Sequence, residues 1–231
     1  MEERYYKSFA AANILGHLRR IGKTCLADPK LFSKGPSQLT DSEMDEILSI
    51  ANELGIKTYH FKRTDRTLPR VHKVMGFLKG ITFENLLDVG SGRGVFLLPF
   101  MDEFPRIQVT SIDILDKRIE MLTDLQNGGI ENLTVKAASI CDCPFPADSF
   151  DVVTLLEVLE HIPDVESAIR SAVSIARQYI IVTVPSKEDS NPEHIHLLTK
   201  EKLTQYFTSC GVTKLSFDGV PGHLFMIARK S

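Results

Sequence analysis

The stretch Leu86-Leu87-Asp88-Val89-Gly90-Ser91-Gly92-Arg93-Gly94 constrains this chain more than any other. An apolar strand runs directly into three alternating glycines, and the apolar residues Val95 to Phe100 follow as a helix. Glycine lets the backbone turn sharply and pass close to a bound molecule, while a helix start presents free N–H groups. A second apolar run ends in Ile112-Asp113, 19 residues beyond Gly94. Strand, glycine turn, helix and a closing acid, in that order, mark the ligand-binding edge of a doubly wound α/β sheet.

The rest of the chain supports such a sheet. From Asn85 onward, short apolar runs alternate with helical segments: LLDV (86–89), IQVTSID (107–113), LTVKAA (133–138), FDVVTLLEV (150–158), YIIVTVP (179–185), VTKLSFD (212–218) and HLFMIARK (223–230). Several are continuous and β-branched, as expected of parallel strands buried on both faces. Helical segments between them imply right-handed crossovers. Only Gly219-Val220-Pro221-Gly222 separates the last two runs, so they should form a hairpin and add one antiparallel strand. The expected fold is Rossmann-like α/β, doubly wound, with a seven-stranded, mostly parallel sheet.

From Met1 to about Gly80 the pattern is helical instead. Thr40-Asp41-Ser42-Glu43 offers an N-cap and an acidic first turn, Met44, Ile47, Leu48, Ala51 and Leu54 keep helical spacing, and Gly55 stops the run. A second helix is expected over Leu68 to Leu78, with Pro69 in its first turn. Residues 1–80 are read as a helical cap over the cleft, and 81–231 as the ligand-binding domain.

Composition narrows the surroundings. Hydrophobic residues make up 43% and charged residues 25%, ordinary for a globular chain with a real core. A net charge of -3 gives no whole-protein attraction to nucleic acid or anionic lipid. No apolar run approaches the length needed to span a bilayer, and the acidic tip of the N-terminus lacks the pattern of a signal peptide. Cys25, Cys141, Cys143 and Cys210 are too few and scattered for a disulfide framework, which predicts reduced thiols in the cytoplasm.

The glycine spacing bears on the ligand. It is GxGxG, whereas the dinucleotide fingerprint is GxGxxG. Asp88, immediately before the loop, suits a cationic sulfonium and ammonium group and would sit poorly beside a pyrophosphate. S-adenosylmethionine is therefore expected over a nicotinamide dinucleotide.

The segments LLDVGSGRG, VTSID, CPFPADSFDVV and LLEVLEHIPD resemble the successive motifs of class I S-adenosylmethionine-dependent methyltransferases, especially the broad group that includes the ubiquinone-pathway O-methyltransferases. The resemblance covers residues 70–230. It implies that Asp88, Gly90, Gly92 and Gly94 line the methionine end, that Asp113 holds the ribose with Ile114 beside it, and that Ser139 and Ile140 flank adenine. It places Glu157 at the end of the fourth strand, near the sulfonium. Family members often carry Asp where Ser139 stands, so either Asp142 substitutes or the contact to the adenine amino group is weaker here.

Glu157-Val158-Leu159-Glu160-His161 should face the reacting methyl. His161 is the candidate catalytic residue, as general base or acceptor-orienting group. Two other readings stay open: His161 only bonds the backbone of a loop, or Glu157, Glu160, His161 and a histidine of the Glu193-His194-Ile195-His196 segment, taken as His196, hold a divalent metal. The last arrangement resembles the small-RNA 3′-terminal ribose 2′-O-methyltransferases, although the wider aromatic and basic surroundings of that family are missing. An Asn/Asp-Pro-Pro-Tyr sequence, a mark of many exocyclic amino-group methyltransferases, is also absent after the fourth strand.

Between Lys57 and Lys79, the bases Lys57, Lys62, Arg63, Arg66, Arg70, Lys73 and Lys79 face a single acid, Asp65. Such a segment could hold phosphates of RNA or of a metabolite, yet few aromatics accompany it for stacking on bases. The expected activity is methyl transfer to a small-molecule acceptor. The alternatives are an RNA ribose methyltransferase and a non-catalytic S-adenosylmethionine-binding protein.

Overall fold

The computed structural model describes residues 2–58, 61, 68–188 and 190–230, with side chains from residue 6 onward. It opens with α1 (Glu2–Arg20), α2 (Asp41–Glu53) and α3 (Pro69–Leu78). Then follow β1 (Asn85–Val89), α4 (Leu97–Glu103), β2 (Gln108–Asp113), α5 (Asp116–Asn127), β3 (Leu133–Ala137) and β4 (Phe150–Leu156). The chain continues through α6 (Val165–Ile175), β5 (Ala176–Pro185), α7 (Lys200–Ser209), β6 (Lys214–Val220) and β7 (His223–Arg229).

The seven strands form one sheet in the order β3-β2-β1-β4-β5-β7-β6. The first five are parallel and β7 runs antiparallel between β5 and β6. The doubly wound sheet with a C-terminal hairpin expected from the sequence is therefore the fold observed. Strand order reverses at β1, whose Val89 lies opposite Ile112 of β2 and Leu155 of β4. That register brings the chain leaving β1, β2 and β4 to one edge, where ligands of such sheets bind.

Local chemistry explains the helix ends. Thr40 and Glu43 form a reciprocal capping box at the start of α2, which buries Met44, Ile47 and Ala51. Pro69 opens α3, where its missing N–H costs nothing. α4 begins two residues later than Val95 and continues to Glu103, because Val95 and Phe96 complete the turn out of the glycine loop. Pro99 fits as its third residue, since the first four amides of a helix lack an intrahelical acceptor. β6 starts and ends two residues later than its apolar run, taking in Gly219 and Val220, so only Pro221 and Gly222 make the turn.

One apolar layer joins the sheet to α6 and α7 (Leu87, Val153, Ile169, Val182, Phe207), and another joins it to α3, α4 and α5 (Leu86, Val74, Phe100, Leu122, Ile181). A third cluster lies between α1 and α2, around Ile14, Leu15, Leu18 and Ile47. α1 crosses the C-terminal half of α5 at backbone contact. A Cβ on Gly16 would fall 1.7 Å from the Asp124 carbonyl oxygen, and one on Gly128 would fall 1.8 Å from that of Ala12. At this crossing the Arg20 guanidinium donates to both oxygens of buried Asp124, at 2.8 and 3.0 Å, and Asn13 donates to the Met121 carbonyl. Asp218 of β6 pairs with Lys73 of α3, fixing the hairpin against that helix.

Candidate functional site at the carboxyl edge of the sheet

Gly90, Gly92 and Gly94 all take positive φ (65°, 56° and 78°), the left-handed region that side-chain-bearing residues avoid. Space reinforces the requirement. A Cβ on Gly90 would lie 2.8 Å from Val158 Cγ2, and one on Gly94 would lie 2.8 Å from Leu98 Cγ. The loop is pinned by Gly90 N–H to the Ile112 carbonyl and Gly94 N–H to the Ser91 carbonyl, both 2.8 Å. Asp113 then ties β2 to the loop: Oδ2 accepts from the Gly92 amide at 3.2 Å and Oδ1 from the Leu115 amide at 3.0 Å. Each carboxylate oxygen keeps a second lone pair for a ligand hydroxyl.

Beneath the loop Asp88 is buried. Thr154 of β4 donates to its Oδ1 at 2.6 Å and Ser91 to its Oδ2 at 2.5 Å, with Ser111 of β2 2.7 Å from the Ser91 hydroxyl. Burial pushes this carboxyl up to about 6, against the pull of the Ser91 and Thr154 hydrogen bonds, and the negative charge of Asp113 adds to the rise. A cation at the loop would oppose that rise and favour the ionised form.

The exit of β4 forms the other wall. Glu157 adopts φ of 59°, a conformation uncommon for a residue with a side chain, and the strand stops at Leu156 rather than running to Val158. Its carboxylate is held by the Thr183 hydroxyl and by His223 Nε2, each at 2.8 Å. The turn Leu159–His161 follows, with Glu160 fully buried. The segment before α7 docks on this turn through the Ile195 amide to the Glu160 carbonyl, 3.0 Å, and through His161 Nδ1 to the Glu193 carbonyl, 2.9 Å. The rings of His161 and His194 stand 4.8 Å apart at 65°.

A switch-point glycine loop, an acid closing β2 and a buried acid beneath them are the parts that known families can be compared on. The methyltransferase domain family matches residues 58–216. The chain belongs to that family. This agrees with the class I S-adenosylmethionine-dependent type inferred from its motifs. It is 28% identical over 143 residues to a ubiquinone biosynthesis O-methyltransferase of Chromobacterium violaceum, an overlap of 61% of this chain and 60% of that one. It is also 28% identical over 138 residues to the 27-O-demethylrifamycin SV methyltransferase of Amycolatopsis mediterranei, covering 55% and 50% of the two. The chain therefore spans half to three-fifths of the length of these curated relatives. A crystal structure of a SAM-dependent methyltransferase from Aquifex aeolicus shares the fold, with a TM-score of 0.58, 17% identity, and coverage of 74% and 96%.

Within this methyltransferase domain, the positions expected at the donor end do converge on one edge: Asp88, Gly90, Gly92, Gly94 and Asp113 lie around the loop, and Glu157 at the end of β4. Ile114 and Leu115 stand 73% and 56% exposed beside Asp113. Ser139 accepts from the Cys141 amide at 3.2 Å and caps the turn of buried Ile140, while Asp142 is exposed.

The four-residue metal set Glu157, Glu160, His161 and His196 is not assembled. Glu157 turns to Thr183 and His223, and His196 Nε2 reaches the Pro163 carbonyl at 3.3 Å. Two residues of extended chain advance roughly 6–7 Å. With the Ile195 amide pinned to Glu160, His194 is left beside His161 and His196 is carried past. His223, Thr154 and Thr183 had no place among the expected site residues, and His194 stood there only as one of the two histidines of its segment. The two threonines had left a trace in the sequence as polar residues inside the apolar runs of β4 and β5.

Of the basic segment, Lys62, Arg63 and Arg66 lie outside the described residues, as do Tyr59, His60 and Asp65. Lys73 pairs with Asp218 and Lys79 with Glu103, so two of its described bases are already matched by acids. No described helix is long and apolar enough to cross a membrane. All four cysteines are free thiols.

Proposed function

We propose that this chain is an S-adenosylmethionine-dependent methyltransferase acting on a small molecule through an oxygen acceptor. The observation that carries the reading is Asp88: a buried carboxyl pushed up to about 6 under a glycine loop, where positive charge is favoured and a pyrophosphate is not. The curated relatives named above are O-methyltransferases by name in one case and act on an O-demethylated compound in the other, which supports an oxygen acceptor. The reading also fits reduced thiols and the cytoplasm.

The donor, when bound, supplies a methyl group activated by a positively charged sulfur. The residues of this chain account for the rest. Asp113, fixed by the Gly92 and Leu115 amides, presents its remaining lone pairs to two ribose hydroxyls. Asp88 offsets positive charge at the methionine end, and the side-chain-free loop allows the backbone to approach. Ile114 and Leu115 cover one face of adenine, and Ile140 supports the other. Since methyl transfer is an in-line displacement, alignment of the acceptor and exclusion of water are the main catalytic demands. His161 orients the acceptor hydroxyl, and residues 1–80 contribute to covering the cleft.

Calorimetric titration with S-adenosylmethionine, its demethylated product and NAD tests the donor half of this reading. Binding of the first two with no response to NAD is expected, and the reverse pattern overturns it. Labelled S-adenosylmethionine offered with a metabolite pool and, separately, with total RNA tests the acceptor half. Label is expected in the small-molecule fraction; label in RNA alone refutes that class.

A further inference from the structure

The turn after β4 and the segment before α7 meet in a cluster of donors that alignment of an acceptor does not by itself explain. Glu160, His161 and His194 each offer one ligand atom, and the three atoms lie within 4.8 Å of one another. Glu160 is fully buried, His194 half-buried and His161 exposed, so the cluster opens to solvent on one side only. Two nitrogens and one carboxylate oxygen form the donor set of catalytic zinc sites and of open-sided iron(II) sites.

The arrangement is also preorganised. His161 Nδ1 sits 2.9 Å from the Glu193 carbonyl, which can only accept, so Nδ1 carries the proton and Nε2 keeps its lone pair. A carbonyl on the second ring nitrogen is the usual way in which a metal-binding histidine is oriented. Asn191 shapes the segment further, its side-chain oxygen accepting from the Glu193 amide and its carbonyl from that of His194. Bonds of about 2.1 Å to a common ion would separate neighbouring donors by roughly 3–3.5 Å. Side-chain rotations that move these atoms by about an ångström suffice to close the set.

We propose that Glu160, His161 and His194 bind one divalent transition-metal ion of the zinc or iron(II) kind, leaving coordination positions for an oxygen ligand. Two imidazoles favour such an ion over magnesium or calcium, which take oxygen ligands. Metal binding itself stands on the geometry alone. Its consequence, an acceptor hydroxyl held and made more acidic at the ion, rests on the methyl-transfer reading. The acceptor would then be a compound with a metal-binding hydroxyl, and His161 would orient it through the ion.

The test uses the whole chain, stripped with a chelator, dialysed and titrated calorimetrically with zinc, with elemental analysis of the product. One equivalent of zinc is expected. His161→Ala and His194→Ala should each weaken it at least about 100-fold, since losing a group that merely orients a ligand already costs roughly 10–100-fold. Cys141→Ser/Cys143→Ser should bind zinc as the unaltered chain does. No stoichiometric zinc, or zinc lost with the cysteines and kept in both histidine variants, overturns the proposal. Binding of magnesium at the zinc-saturating concentration overturns the transition-metal assignment. Zinc bound without any response to S-adenosylmethionine would instead overturn the proposed function and leave the metal site standing.

Discussion

Replacing Asp88 by asparagine should make the ligand-free chain more stable and a poorer binder of the donor. The carboxyl's ordinary value is 3.8 and its folded value is about 6. Folding therefore retains a proton that the unfolded chain has lost between those two values. Asp88's contribution to stability is most favourable below 3.8 and declines as pH rises through 6. Above that, holding the buried carboxylate ionised costs about 3 kcal/mol, two pH units at 1.36 kcal/mol each. The amide of the Asp88→Asn variant carries no charge to bury, and Ser91 can turn its hydroxyl to accept from that amide while donating to Ser111. Some of the gain is lost with the charge-assisted bonds from Thr154 and Ser91, which leaves a net advantage of about 1–3 kcal/mol at pH 8. The advantage should shrink by about 1.5 kcal/mol at pH 5, where the native carboxyl is mostly protonated. Thermal unfolding of both proteins, ligand-free, at the two pH values reads this as a gap in Tm that narrows by roughly 3–6 °C on acidification. Calorimetry at pH 8 should show S-adenosylmethionine binding at least about tenfold weaker to Asp88→Asn. Equal unfolding at pH 8, or undiminished donor binding, would refute the view that Asp88 is a strained charge waiting for a cation.

Three further outcomes follow from other parts of the molecule. Asp113→Ala should weaken donor binding by at least about tenfold, one charge-assisted hydrogen bond of about 1.5–3 kcal/mol being enough, while far-ultraviolet circular dichroism stays native. Unchanged affinity would mean that the ribose does not sit at the end of β2. His161→Ala should slow methyl transfer by about 100-fold or more without altering donor affinity, and chelation should have a similar effect on the native chain; full activity in the variant would remove His161 from the reaction. Gly16→Ala puts a methyl 1.7 Å from a backbone oxygen of α5. Helix propensity favours alanine by only about 1 kcal/mol, so a net loss of about 3 kcal/mol is expected in urea unfolding. A stabilised variant would show that α1 does not dock as described.

The parts of the fold legible in the sequence are those fixed by neighbours along the chain. Strand, glycine turn and helix around Gly90–Gly94 are written in consecutive residues, and so is the capping box of Thr40 and Glu43. The hairpin is written in the spacing of two apolar runs around Pro221-Gly222. The crossing of α1 over α5 is different in kind. Gly16 and Gly128 are its visible traces, but a glycine in a helix or just after one does not say which distant backbone it admits. The presence and burial of α4 were readable, whereas its ends were not: its first residue depended on how many residues the loop needs to complete its turn, and its last lies three beyond the apolar run.

The candidate site divides along the same line. Asp88 and Asp113 occupy the ends of two strands, so their convergence follows from parallel register alone. The acceptor side depends on contacts that no period predicts. The apolar run through Val158 reads as continuous strand, yet Glu157 is forced to φ of 59°, a cost of order 1–3 kcal/mol that surrounding structure must offset. Thr183 from β5 and His223 from β7 supply the compensation, two hydrogen bonds to one carboxylate from strands 26 and 66 residues away in sequence. That same kink directs the following turn so that Glu160 is buried and His161 is left at the surface, where the loop of His194 can reach it. The strain at Glu157 and the donor cluster beyond it are thus one structural event. A change at His223, distant in sequence from both histidines of the cluster, should consequently disturb them together. His223→Ala is expected to reduce zinc binding and donor binding in the same protein, whereas His161→Ala reduces only the first. Parallel calorimetric titrations of the two variants measure this, and donor affinity unaffected by His223→Ala would separate the kink from the site it is argued to build.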